Sequence, residues 1–454
     1  MTGSRFSRSP RAVEASAAAV DEVLAHMDGG GWRLILVDSP PGAGKSTLVA
    51  TIADVRTDRH SDQVPIITQT NDQADDLVRS LATRLAGSGR SVGRLHARTR
   101  YTPPADLQML QDVRFSHDVN ALSDCAVLVA PIKKWAYVDR REPWPYAVID
   151  EAYQVSSYDL TSVGNTFNAF VAVGDPGQLS PWSSGDETLV RGIEASPLDS
   201  AANRLYATVG SDTRLVTLPV SWRLTPAAVD IISPAFYKQQ FTAGTLPGAR
   251  RLRFNRLGAD DSIDRALGHA SDSGWAMLEL PEAYMPPNDP GAVTTITSLV
   301  TRALRAEGRC TDEQRDIHPL EPRRIAVGVV HRAQRNEVQA ALARALTPLG
   351  VPTGTVVVDT ANRLQGREYD LVIAWHPLSG RHTASEFHIE AGRLCVLLSR
   401  HRQACVLVTR GGLRHQLETY PQPDKLWLGE RHSVDGWEAN LTALERLEQH
   451  RIVS

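Results

Sequence analysis

Three short stretches hold residues whose types and spacing suit chemistry on phosphate. The first, "VDSPPGAGKST" (37–47), is an apolar run, a Gly-rich turn, then a lysine and two hydroxyls. Backbone N–H groups of such a turn, and of the helix it opens, point at an anion. Pro41, Gly42, Ala43, Gly44, Lys45, Ser46 and Thr47 are therefore candidates to cradle a nucleotide, with Lys45 reaching the β- and γ-phosphates and Ser46 ligating Mg²⁺. Ser39 stands where the usual pattern begins with Gly. The second, "YAVIDEAYQ" (146–154), places Asp150 and Glu151 straight after an apolar run. Asp150 suits Mg²⁺, often through water, and Glu151 suits orienting or deprotonating an attacking water; adjacent carboxylates at a strand end also serve as plain caps. The third, "VGDPGQLSP" (173–181), sets Asp175, Gln178 and Pro181 after another apolar run. Gln178 there could sense a γ-phosphate or its water, or the stretch could be a Pro/Gly turn.

The elements that must position these residues are short β-type runs alternating with helical patterns. "RLILVD" (33–38), "VPIIT" (64–68), "CAVLVA" (125–130), "YAVID" (146–150) and "FVAVGD" (170–175) are apolar enough for buried parallel strands. "KSTLVATIADV" and "NDQADDLVRSLATRL" lie between them as helices. This is the βαβ rhythm of a doubly wound domain. Past residue 212 it resumes more loosely, with "RIAVGVV" (324–330), "GTVVVDT" (354–360), "YDLVIAW" (369–375) and "CVLLS" (395–399) read as strands. "LPEAYMPPNDPGAV" (280–293) reads as a surface loop. Trp437, Leu441, Leu444 and Leu447 fall on one face of a C-terminal docking helix. The expectation is an α/β protein of two tandem domains, 1–212 and 213–454, each on a parallel sheet. Each phosphate-chemistry stretch then follows the end of a parallel strand, the edge where such sheets bind ligands.

Composition narrows the class. At 454 residues the chain can hold two or three domains with sizeable cores. A formal charge of -3 argues against bulk attraction to nucleic acid or anionic membrane, so any nucleic-acid contact must be local. Lysine is scarce: Lys45, Lys133, Lys134, Lys238 and Lys425 are the whole set, and arginine supplies the rest. Cys125, Cys310, Cys395 and Cys405 form no CxxC pair, which argues against a disulfide framework or zinc site. His376, His382 and His388 read as loop histidines. The N-terminal stretch reads as an amphipathic helix, since Glu14, Asp21 and Glu22 break any export-type apolar core. No run is long enough to cross a bilayer, and the expected location is cytoplasmic.

Taken in order, these stretches resemble a superfamily 1 helicase, nearest the 5′-to-3′ branch that includes the RNA helicase of nonsense-mediated decay: "DEAYQ" matches its DEA-x-Q motif and "GDPGQLSP" its GD-x-x-QL-x-P motif. The resemblance runs across most of the chain and implies two RecA-like P-loop domains with ATP and Mg²⁺ between them. "TQTNDQADDL" (68–77) is similar to the family's motif Ia, making Thr70 and Asn71 candidate contacts to a nucleic-acid backbone. "LPVSWRLTP" (218–226) is similar to motif IV, implying that Arg223 contacts the γ-phosphate from the second domain and Trp222 stacks on the base. "VDTANRLQGREYDLVI" (358–373) is similar to motif V, with Gln365, Gly366 and Glu368 at matching positions. "RLCVLLSRHRQACVLV" (393–408) is similar to motif VI, with Arg400 as an arginine finger and Arg402 as a supporting charge. A bidentate guanidinium suits the charge that gathers on a γ-phosphate in its transition state. Arginines from a second domain would make closure depend on that phosphate.

The pattern also departs from the family. No glutamine precedes Lys45, so the usual adenine-reading residue is missing from its place. "GVVHRAQ" (328–334) lacks the Thr-Pro pair of the matching family segment, leaving His331 and Gln334 as candidate nucleic-acid contacts. Residues 80–124 and 240–320 leave room for only modest accessory structure. "RLHARTRY" (94–101) is either a channel-lining loop or a solvated one. The resulting expectation is an ATP-dependent helicase or translocase on single-stranded DNA or RNA, DNA first, with 5′-to-3′ polarity from the resemblance alone and a protein partner supplying strand separation or targeting. An ATP-driven clamp that does not translocate, and a motor subunit of a larger repair or nuclease complex, stay open beside it.

Overall fold

The computed structural model describes residues 7–60, 62–181, 196–258, 260–420 and 434–454. Eight strands build the first sheet: β1 (Leu34–Asp38), β2 (Val64–Thr68), β3 (Val92–Leu95), β4 (Val113–Ser116), β5 (Val127–Pro131), β6 (Ala147–Asp150), β7 (Phe170–Gly174) and β8 (Thr213–Thr217). They lie in the order β4-β3-β5-β2-β6-β7-β1-β8, and every pairing is parallel. Both faces are covered. In β1, Ile35 and Val37 join a core under the helices Pro10–Gly29, Lys45–Arg59 and Asn71–Leu85, while Leu34 and Leu36 join the opposite core with Trp135, Trp144 and Phe167. Burial on two faces is why these strands read as continuous apolar runs rather than alternating ones.

A short parallel pair, β9 (Val220–Ser221) with β10 (Thr242–Ala243), follows, then the second unit. Its strands are β11 (Arg251–Arg253), β12 (Trp275–Leu280), β13 (Arg309–Thr311), β14 (Ile317–Pro319), β15 (Ile325–Val329), β16 (Val357–Thr360), β17 (Tyr369–Trp375), β18 (His401–Arg410) and β19 (Arg451–Val453). Six of them form a parallel sheet in the order β16-β15-β17-β18-β12-β19, and β11-β13-β14 form a separate antiparallel sheet. The architecture is α/β, with two parallel-sheet units in tandem.

Two expectations about elements are corrected. The apolar stretch Cys395–Ser399 is not a strand. It ends the helix Ala391–Leu398, and the motif VI strand is β18, which starts at His401. Every residue from Gly392 to Leu398 is buried, so an all-round apolar helix presents the same signal as a buried strand. The division at 212/213 also cuts too early, because Thr213–Thr217 pairs with all five residues of β1 as the edge of the first sheet. The C-terminal helix Gly436–Leu447 docks as expected. Its inward face centres on Ala439, Asn440, Ala443, Leu444 and Leu447, with Trp437 and Leu441 half-buried at the rim.

Candidate functional site

The chain leaves β1 into the Gly-rich turn and enters a helix at Lys45. Gly42 and Gly44 have φ of 74° and 92°, a region that favours glycine. Gly42 is constrained a second way, since a Cβ there would lie 2.3 Å from the Cβ of Arg223. The segment carrying Arg223 is bonded directly onto the turn: Ser221 Oγ donates to Pro41 O at 2.6 Å, and Trp222 N donates to Gly42 O at 2.8 Å. The residue that the resemblance brings in from the second domain therefore reaches the cleft on a segment also bonded to the first domain's Gly-rich turn. The buried Ser39 hydroxyl, at the position where the family pattern has Gly, finds no partner among the described residues.

A cavity of ≈ 380 Å³ opens over the turn, lined by Gly42 to Thr47, Glu151, Gln178, Trp222, Arg223, Gly366, Glu368, Arg400 and Arg402. Residues from six separate stretches of sequence meet there. Lys45 Nζ lies 3.5 Å from Glu151 Oε1 and 3.7 Å from Asp175 Oδ2. Glu151 itself sits at φ 57°, an uncommon conformation for a residue with a side chain, where strain is tolerated if surroundings enforce it. Burial, then the neighbouring Glu151, holds the Asp150 carboxyl above its ordinary range, with Lys45 pulling the other way. Ser46 and Asp150 line the same adjoining cavity. A hydroxyl and a carboxylate are hard oxygen donors that fit Mg²⁺, and a carboxylate disfavoured as an anion by its surroundings gains from a cation beside it.

The opposite side of the cleft is a network of arginines and glutamates. Glu368 Oε2 accepts from Arg223 Nε at 2.9 Å, and Oε1 accepts from Arg402 Nη1 at 2.8 Å. Arg402 Nη2 also reaches Glu313 Oε2 at 3.2 Å. Arg250 donates to Glu313 Oε2 at 2.8 Å and to the backbone carbonyls of Trp222 and Arg223. Burial would push the Glu313 carboxyl up, but the hydrogen bond and charge of Arg250, with Arg402 behind it, bring it down to about 2. Arg400 is buried, its Nη2 donating to Ser399 Oγ at 2.7 Å and its Nε without a partner among the described residues. Burial and the nearby Arg223 lower its pKa to about 10. A buried guanidinium with an unused donor, in a cleft beside a phosphate turn, is suited to an anion that arrives with a ligand.

Arg250 and Glu313 were missed by sequence reasoning. Glu313 sits in the turn between β13 and β14, in a region read only as modest elaboration, and no local motif marks it. Asp175, which its motif alone does not mark as functional, is buried beside Lys45.

Below the phosphate cleft lies the second cavity, ≈ 620 Å³, bounded by Gln69, Thr70, Asp72, Gln73, Asp150, Gln154, Asn362, Arg363 and Gln365 among others. Thr70 and Gln365 meet there. Thr70 also caps the helix Asn71–Leu85, its hydroxyl accepting from Gln73 N at 3.2 Å. Gln365 Nε2 donates to Gln178 Oε1 at 2.9 Å, joining this cavity to the phosphate cleft. The other nucleic-acid candidates are engaged elsewhere. Asn71 Oδ1 accepts from the buried Arg94 Nη2 at 2.9 Å. Gln334 is 2% exposed, and its carbonyl accepts from Val330 N and His331 N as a helix cap, so it does not face a ligand. His331 lies 3.1 Å from His388 and stacks on Phe387. Arg94, from the basic loop reading, is core: it pairs with Asp75 at 2.8 Å under the ring of Tyr101.

Trp222 lines the phosphate cleft, with the guanidinium of Arg8 5.3 Å from its ring centre and Gly244 packed against the ring. His376 is buried and His382 lies beside Tyr284, so the three loop histidines are not gathered. Cys310, His318 and Asp370 do bring ligand-type atoms within 4.8 Å of one another. Arg324 and His318 already bond that carboxylate, so its charge is balanced within the protein. Among the described residues no helix is long and apolar enough to cross a membrane.

Two family models, each described as AAA domain, match the chain, one over residues 17–191 and the other over 199–411. No curated protein matches it in sequence. Among solved structures, the arterivirus nonstructural protein 10 (helicase) is similar at a TM-score of 0.42 and 13% identity, over 87% of this chain and 61% of that one. The same protein in complex with DNA gives 0.40 and 12%, over 87% and 62%. The PRRSV nsp10 helicase gives 0.25 and 13%, over 88% and 60%. The chain therefore spans about three-fifths of the length of those solved chains.

Proposed function

We propose that the two domains form a superfamily 1 helicase core, an ATP-driven motor on single-stranded nucleic acid, with ATP bound over the turn 41–47 and the strand crossing the cavity at Thr70 and Gln365. The observation that carries the reading is the convergence of Lys45, Glu151, Gln178, Arg223 and Arg400 on one cavity. In the reaction, water attacks the γ-phosphate in line with the bond to the leaving ADP. Glu151 orients that water and takes its proton. Lys45, Arg223 and Arg400 stabilise the charge that grows on the transferred phosphoryl group, in a cleft where fixed donors cost no reorganisation. Ser46 and Asp150 would hold Mg²⁺, whose charge offsets that of the phosphates. Gln178 contacts both Asp175 and Gln365, so a change at the γ-phosphate reaches the strand-side cavity in two hydrogen bonds. DNA is the track proposed first, and 5′-to-3′ travel belongs to this proposal through the motif resemblance alone.

The test is phosphate release with and without single-stranded DNA, then RNA, with Glu151→Gln as the control for contaminating ATPase. Glu151→Gln is expected to bind ATP and to hydrolyse it roughly a hundred- to ten-thousandfold more slowly. Strong stimulation by one polymer supports the motor and names its track. Robust turnover indifferent to both polymers overturns it in favour of a protein-clamping switch.

A further inference from the structure

We infer that Tyr237 is a positioning residue for this site, through which the helical layer of the second domain holds the Asp175–Leu179 loop against Lys45. Tyr237 ends the helix Pro226–Tyr237, which packs on the helices Ala391–Leu398 and Gly436–Leu447. Its hydroxyl donates to Asp175 Oδ1 at 2.6 Å and lies 3.4 Å from Cys395 Sγ. Asp175 is 1% exposed and its carboxylate is shared out completely. Oδ1 also accepts from Gly177 N at 3.1 Å, while Oδ2 accepts from Gln178 Nε2 and faces Lys45 Nζ at 3.7 Å. Of those four groups, Tyr237 alone comes from outside the first sheet and its loops.

Three further observations tie the loop to the second domain. A Cβ at Gly177 would lie 2.4 Å from the Tyr237 ring, so the ring rests directly on the loop backbone. A Cβ at Gly392 would lie 2.6 Å from the Gln178 carbonyl, so the helix Ala391–Leu398 presses from another side. Leu179, at the end of the loop, belongs to the second domain's hydrophobic core with Ile232, Phe236 and Leu394. The loop is thus seated in the second domain while its aspartate and glutamine face the first domain's phosphate site. Burial and the adjacent Asp175 push the Tyr237 phenol well above its ordinary value, so it remains a donor. Among the described residues the Tyr237 hydroxyl gives the second domain its hydrogen bond to the Asp175 carboxylate itself, the group that also faces Lys45 and holds Gln178.

This inference rests on the ATPase reading above, and its test separates the two. Tyr237→Phe keeps the ring on Gly177 and deletes only the hydroxyl. The expected result is a fall in kcat for ATP of about ten- to a hundredfold with KM held within about threefold, the size of one hydrogen bond to a charged group. Hydrogen exchange should rise at the Gly177–Leu179 amides while the rest of the first sheet is unchanged. In the double variant Tyr237→Phe with Asp175→Asn, turnover should fall no more than about threefold below Asp175→Asn alone, because the hydroxyl acts through that carboxylate. Unchanged loop exchange, or additive losses in the double variant, overturns the inference. A wild-type protein without ATPase removes the motor reading instead, and the exchange measurement then decides Tyr237 on its own.

Discussion

The two walls of the phosphate cleft are aimed by different means. On the first, Lys45, Ser46, Asp150, Glu151 and Gln178 all lie at the C-terminal ends of β1, β6 and β7 or on the segments that directly follow them, so each is directed by the strand before it. On the second, Arg223 and Arg402 are directed by Glu368, Arg402 and Arg250 by Glu313, and the Trp222–Arg223 backbone by Arg250. One wall is preset by chain geometry; the other is a charge network whose members lie far apart in sequence. A charge network has more than one arrangement of similar energy, and a γ-phosphate competing for Arg223, Arg400 and Arg402 would choose among them. On the function proposed above, the difference divides binding, which falls to the first wall, from response, which falls to the second.

Substitutions can break that division. Lys45→Ala strikes the preset wall and should lower ATP turnover roughly a hundred- to thousandfold, measured by phosphate release. Retained wild-type turnover would remove the phosphate-turn assignment. Arg400→Ala strikes the responsive wall. It should bind a fluorescent nucleotide normally yet turn over at least about a hundredfold more slowly; near-normal turnover would pass the role to Arg402. Glu313→Gln leaves every arginine in place but unties two of them, so the smallest effect is expected, a rise in KM for ATP of about three- to tenfold. A loss as large as that of Arg400→Ala would mean the tether itself takes part in hydrolysis. Glu313 also carries a pH signature. Its carboxyl is held at about 2, well below the ordinary glutamate range, so its contribution to stability is present above that range and is lost as pH falls through about 2. Glu313→Gln should flatten that part of an acid-unfolding curve.

Legibility followed the same line. The positions of the first wall could be read residue by residue, because a Gly-rich turn after an apolar run fixes where the residues that follow it stand. Position in the cleft was also legible for Arg223, Arg400, Arg402 and Glu368, but their pairing was not. Thr70, Asn71 and Gln334 show the limit from the other side. A polar residue at a helix start suits a backbone contact or a cap equally well, and Asn71 and Gln334 turn out to be used by the protein itself. The stretch 395–399 misled for a related reason, since a helix buried on all sides loses the period that distinguishes it.

By itself, the sequence determined the α/β class, the two tandem parallel sheets and the wall built on the Gly-rich turn, because these depend on local pattern: apolar runs of strand length, glycines that tolerate positive φ, and side chains on the loops that follow strand ends. Only the tertiary structure decided that the Arg223 segment is bonded to the phosphate turn, that Glu313 reaches two arginines from a hairpin, and that Tyr237 meets Asp175. Those contacts join residues 62 to 180 positions apart. Hydrogen bonds between buried charges depend on where two folded surfaces meet, and neither partner's neighbours in sequence record that meeting.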